Sequence, residues 1–165
     1  MENKEKIFLE VLENHKGIIY KISNSYCANS EDRKDVTQEI IVQLWNSFEK
    51  YDSQYKMSTW VYRIALNTAI SFFRKNKSRI EKTTIVSDAF GTIIAAEQEN
   101  HYNTDIAKLQ MFIQELNNID KAIILMYLDG LSQAVIAKIM GITPTNAGTK
   151  IGRIKKKLRK KFDKH

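Results

Sequence analysis

The residues best suited to chemistry in this chain lie close to its C-terminus. In LSQAVIAKIMGITPTNAGTKIGRIKKKLRKKF, Thr145, Asn146, Lys150 and Arg153 open a helix whose remaining surface is almost entirely basic. An asparagine can pair with adenine, and a lysine can reach guanine or a phosphate. The following lysines and arginines can neutralise phosphates on both sides of a groove. A second constellation is acidic: Asp35 and Glu39 stand four residues apart, on one face of a helix. Such a pair can serve a metal or acid–base chemistry. No histidine or third carboxylate lies at helpful spacing, and a solvated helix face is the better reading of the pair by itself. His15, His101 and His165 are far apart in sequence and Cys27 is the only cysteine, so neither a metal site nor a disulfide is expected. No clustered carboxylates or phosphate-gripping glycine loop marks a nucleic-acid enzyme, so no catalytic residue and no cofactor is assigned.

The elements that position these residues read as helices. Ser132 can cap a helix carrying Val135, Ile136 and Ile139, with the small Ala137 where a second helix must come close. Gly141 offers the left-handed freedom of a tight turn, and Ile142 plugs the corner. Thr143 caps the next helix, and Pro144, the only proline, takes its first position, where a missing N–H costs nothing. Helix, glycine turn, cap and basic helix in this order are a DNA-reading motif. A basic amphipathic helix alone could equally lie on a membrane or a partner, and the preceding turn is what favours DNA. Gly148 and Gly152 each cost roughly 1 kcal/mol in a helix interior, which close approach to DNA or a neighbouring helix would offset.

Upstream, residues 4–27 read as a helical hairpin interrupted at Gly17. Residues 31–50 read as a helix with acidic first turn and an apolar face of Val36, Ile40, Ile41, Leu44, Trp45 and Phe48. Residues 51–58 read as a loop, with Ser58 capping a helix from Thr59 to about Lys77. Residues 80–104 change character, with an acidic run and small polar residues, and form the expected flexible linker; its apolar patch of Phe90 and Ile93–Ala96 leaves a short docked helix open. Beyond it, Ile106, Leu109, Phe112, Ile113 and Leu116 make one helical face, and Ile123, Ile124, Met126, Tyr127 and Leu128 a second, stopped at Asp129-Gly130. The expected fold is all-α: two small helical domains, 1–79 and 105–165, joined by the linker. Lysine and arginine outnumber aspartate and glutamate by 26 to 19, a net +7 that favours a polyanionic partner. The N-terminus has no long apolar run and no stretch approaches a membrane span, so no membrane insertion and a cytoplasmic location are expected.

Two separated stretches resemble one family, the sigma factors of bacterial RNA polymerase, in the small extracytoplasmic-function group. DVTQEIIVQLW (35–45) and STWVYRIALNTAISFFRK (58–75) are similar to the family's region 2, and LSQAVIAKIMGIT through LRK (131–160) to its region 4. Ser71 departs from the family's usual Asp, Val135 from a usual Glu, and Gly148 and Gly152 from longer residues. The resemblance implies that Asp35, Gln38 and Glu39, with Leu44 and Trp45 behind or beside them, dock the polymerase core. It implies that Tyr51, Tyr55 and Met57 in the loop, then Trp60, Arg63, Asn67, Arg74 and Lys75, bind and melt the promoter −10 element. Unpaired bases need aromatic or apolar surfaces to stack on and polar groups to read their edges. Asn67 matches the family's helix asparagine, and Trp60 serves equally well as a core anchor. Region 4 would read the −35 element with Thr145, Asn146, Lys150 and Arg153, while Thr149 and Lys155 contact phosphate. An anti-sigma factor is the further partner implied. The competing function is a helix-turn-helix regulator with a helical sensing or dimerisation domain.

Overall fold

In the computed structural model, residues 2–83 and 104–164 are described. The helices are α1 (Glu2–Tyr26), α2 (Ser30–Ser47), α3 (Met57–Thr83), α4 (Thr104–Gln114), α5 (Asn118–Leu128), α6 (Gln133–Met140) and α7 (Pro144–Asp163), with a 3₁₀ turn at Phe48–Lys50. Every regular element among the described residues is helical, as expected. The expected linker, with Phe90 and Ile93–Ala96, falls mainly outside the described residues. Its start moves, because α3 runs past residue 79 to Thr83.

Helix α1 corrects the expectation of a hairpin. Gly17 is exposed, and the helix continues through it. Phe8, Val11, Ile19, Ile22 and Tyr26 are all buried and keep one helical register across the glycine. A single helical glycine costs only about 1 kcal/mol, less than the burial of the residues on either side of it.

Asn29 caps α2, its side-chain oxygen accepting from the Asp32 amide at 2.7 Å, and Glu31 and Asp32 sit in the first turn where the helix dipole favours them. Val36, Ile40 and Leu44 of this helix are fully buried. They meet Ile22 of α1 and Val61, Ala65 and Leu66 of α3 in a three-helix bundle. Helix α3 begins at Met57, so Ser58 lies inside the first turn and is not its cap; the Trp60 amide already bonds to the Lys56 carbonyl at 3.2 Å. Thr37 donates to Ser23 at 2.9 Å, the polar tie between α1 and α2.

Helices α4 to α7 form a second group around Ile123, Ile124, Met126, Ile136 and Ile154. Phe112 of α4 meets Phe162 of α7 edge to face, with ring centroids 5.0 Å apart. The expected face of α5 stops earlier than its sequence suggests: Tyr127 and Leu128 are exposed, at 38 % and 51 %. The two groups touch. The Tyr26 hydroxyl donates to the Asn118 carbonyl at 2.6 Å, Lys21 pairs with Asp129, and α3 lies against α6.

Candidate nucleic-acid interface

The turn between α6 and α7 is built as its residues require. Ser132 accepts from the Val135 amide at 3.2 Å, and Thr143 accepts from the Asn146 amide at 3.1 Å. Gly141 has φ 67°, the left-handed conformation that closes α6, and the Ile142 amide bonds back to the Ala137 carbonyl at 3.0 Å. Pro144 holds the first position of α7. The Gln133 side-chain amide donates to the Pro144 carbonyl and ties the start of α6 to the start of α7. Gly148 lies directly under that amide: a β-carbon there would stand 2.5 Å from Gln133 Nε2. What crowds Gly148 is the tip of the Gln133 side chain rather than the backbone of a neighbouring helix. Gly152 has open space around it.

Helix α7 buries Ala147, Ile151, Ile154 and Leu158 on one side. Thr145, Asn146, Thr149, Arg153 and Lys155 are exposed on the other, and Lys150 is half-buried. The Thr149 hydroxyl donates to the Thr145 carbonyl at 3.1 Å, and Lys155 donates to the Tyr127 hydroxyl at 3.2 Å. Part of the basic run is paired at the surface with acidic residues of this same chain. Lys157 reaches Asp120 at 3.7 Å and Lys161 pairs with Glu115, so these two lysines anchor α7 to α5 and to the end of α4.

On the first bundle, Asp35, Gln38 and Glu39 are exposed along α2. Leu44 is 0 % exposed, so it supports this face from behind and has no surface with which to touch a partner. Trp45 is half-buried, edge to face with Phe8 at 5.0 Å and covered by the Lys4 ammonium at 4.5 Å. Both are parts of the scaffold under the acidic face.

The aromatic residues after α2 divide in the same way. Trp60 packs tilted against Phe48, with ring centroids 6.2 Å apart, and against Tyr51 at 5.4 Å, which favours the core-anchor alternative for it. The Tyr51 hydroxyl donates to the Tyr55 carbonyl and shapes the loop. Met57 packs against the core. Tyr55 stays exposed at 38 %, with the ammonium of Lys138 from α6 lying 3.8 Å from its ring centroid.

Arg63, Asn67, Arg74 and Lys75 are exposed on α3. Asn67 and Lys75 line a groove of about 560 Å³ between α2 and α3, together with Glu39, Gln43, Thr68, Ser71 and Phe72. Glu39 Oε1 accepts from Gln43 Nε2 at 2.9 Å on its rim. Residues expected on two separate surfaces, Glu39 for protein and Asn67 for DNA, thus share one cleft. Gln43, Thr68 and Phe72 were not singled out from the sequence. Their helical spacing from Glu39 and Asn67 was the available signal, but the pairing of the two helices was not. Among the described residues, no group of three potential metal ligands occurs, and no helix is long and apolar enough to cross a membrane.

Comparison with known proteins matches residues 11–79 to the model for Sigma-70 region 2 and residues 106–158 to that for Sigma-70, region 4. The chain is 28 % identical over 160 residues to the RNA polymerase sigma factor SigV of Bacillus subtilis, covering 96 % of this chain and 92 % of that one. It is 26 % identical over 171 residues to the ECF RNA polymerase sigma factor SigW of the same organism, covering 94 % and 88 %. Its fold is shared by CnrH, solved in complex with the cytosolic domain of CnrY, at TM-score 0.68 and 20 % identity over 96 % of this chain and 89 % of that one. The sigma factor RpoE of Bartonella quintana, solved with the anti-sigma factor NepR, gives TM-score 0.68 and 17 % identity over 97 % and 96 %.

Proposed function

Because the chain belongs to the sigma-70 family, as a sigma factor of the extracytoplasmic-function group, we propose that it binds the core of bacterial RNA polymerase and starts transcription at its own class of promoter. In this reading α7 enters the major groove of the −35 element. Thr145, Asn146, Lys150 and Arg153 read base edges, and Thr149 and Lys155 hold the phosphates. Asp35, Gln38 and Glu39 present the polymerase-facing surface, backed by Leu44 and Trp45. Tyr55, Arg63, Asn67, Arg74 and Lys75 engage the opened −10 strand, supported by Tyr51, Met57 and Trp60. The reading assigns 1–79 and 105–165 as the two working units.

One observation carries the assignment of roles. The exposed DNA-reading turn of α7 and the groove joining Asn67 and Lys75 to Glu39 belong to separate helical groups of one chain. The likeness of the first group to Sigma-70 region 2 favours this reading over a helix-turn-helix regulator with a helical sensing or dimerisation domain. The chain lends recognition to the polymerase and needs no catalytic centre, metal or cofactor of its own. It acts in the cytoplasm, and an anti-sigma factor is its expected inhibitor.

The test is reconstitution with core polymerase on a pool of random promoters. Tight core association with sequence-selective initiation supports the reading. Duplex binding without core association replaces it with a helix-turn-helix regulator.

A further inference from the structure

Lys121, in the first turns of α5, is 5 % exposed. Its ammonium has no ion pair or hydrogen bond among the described residues; its close contact is the face of the Tyr26 ring, 5.1 Å from the centroid. Burial lowers its pKa from the ordinary lysine value. A largely buried lysine whose ammonium has no counter-ion is under-paired, and native structures normally supply a partner.

The space beside it is large enough to supply a partner. Lys121 lines a cleft of about 550 Å³ where the two helical groups meet. Arg74 brings a second positive charge, Gln114 and Asn117 bring side-chain amides, and Tyr26 and Phe73 form aromatic walls. Among the described residues, no aspartate or glutamate lines the cleft. The nearest candidate on its own helix, Asp120, is held by the Asn117 amide at 2.9 Å and by Lys157 at 3.7 Å. Asp32 and Asp35 act on Cys27 from outside the lining. Two cations, several hydrogen-bonding side chains and an apolar wall are the features of a pocket for a small organic anion.

We propose that this cleft binds a small phosphate- or carboxylate-bearing solute, which pairs with Lys121 and Arg74 and bridges the end of α1 and the second half of α3 to α5. The site is distinct from both DNA-facing surfaces except at Arg74, and it does not rest on the promoter-reading assignment.

The test uses the full chain without DNA or polymerase. Backbone amide shifts at Asn117, Asn118 and Lys121 are followed by NMR as sodium phosphate is added, against sodium chloride at matched ionic strength, with sodium acetate as a separate arm. The expected result is a saturable change with a midpoint on the order of 1 mM, the range of a weak single-site contact. It should be at least tenfold weaker in Lys121→Met, which keeps the apolar stem, removes the buried charge and so should fold at least as well. Slower amide exchange at both Tyr26 and Asn118 on phosphate addition would support the bridge. Saturation by phosphate alone identifies a phosphate-bearing ligand, and saturation by acetate as well extends it to carboxylates. Shifts that do not saturate, or that persist unchanged in Lys121→Met because the lysines of α7 cause them, overturn the proposal.

Discussion

The ammonium of Lys138 lies 3.8 Å from the ring centroid of Tyr55, so a helix of the second helical group lies over the exposed aromatic of the loop in the first. A base stacking on Tyr55 must compete with that cation. Exposed cation–π contacts are worth about 0.5–1 kcal/mol, and base stacking on an aromatic about 1–3 kcal/mol. The base therefore wins, at a reduced net affinity.

Lys138→Ala should accordingly raise the affinity of the free protein for single-stranded −10 DNA by roughly two- to fivefold. Loss of a positive charge acts in the opposite direction, so a gain is diagnostic. Fluorescence anisotropy with a labelled oligonucleotide measures it in wild type and in a Tyr55→Ala background, where the charge loss acts alone; the same change in both backgrounds would show that Tyr55 is not the platform.

Asn67→Ala should lower promoter opening about tenfold or more, while leaving polymerase binding nearly intact. A polar contact to an extruded base is worth on the order of 1–3 kcal/mol, and Asn67 is exposed at the groove, outside the core. Permanganate footprinting reads opening and a pull-down reads binding. Equal losses in both would remove the assigned role.

The two glycines of α7 should respond differently to alanine. Gly152→Ala meets open space and should gain about 1 kcal/mol from helix propensity. Gly148→Ala must push aside the Gln133 amide, which then loses its bond to the Pro144 carbonyl. A hydrogen bond is worth about 1 kcal/mol net, so this variant should come out near neutral. Urea unfolding of both variants, and of Gly148→Ala in a Gln133→Ala background, checks the difference; equal stabilisation would contradict the close approach.

Burial, aided by the nearby Asp32 charge, pushes the Cys27 thiol up to about 11 from an ordinary value of 9.0. The folded state thus disfavours the thiolate. The stability linked to this group is complete below pH 9 and is lost as pH rises toward 11. Cys27→Ala should flatten the fall in stability between pH 9 and pH 11 relative to wild type, measured by denaturant unfolding at each pH. Parallel curves would mean that the thiol titrates normally. At neutral pH the same burial should make Cys27 slow to alkylate in the folded protein.

The sequence by itself determined what short-range chemistry decides. Ser132, Gly141, Thr143 and Pro144 act within three or four residues of their own backbone, and each does in the fold what its type requires. The all-helical class and the exposed first turn of α7 follow from the same local rules. Tertiary structure decided the rest, because burial and pairing depend on which faces meet. Gly17 looked like a break until a core on both sides of it held α1 continuous. Leu44 and Trp45 share a helix with Asp35 and Glu39, and only the position of α1 and α3 turned them into scaffold. Lys157 and Lys161 looked like phosphate binders within a basic run, yet Asp120 and Glu115 lie more than thirty residues away in sequence and beside them in space. Glu39 beside Asn67, Lys138 over Tyr55 and Lys121 against Tyr26 are relationships between helices, and the periodicity of one helix does not carry the identity of its neighbour.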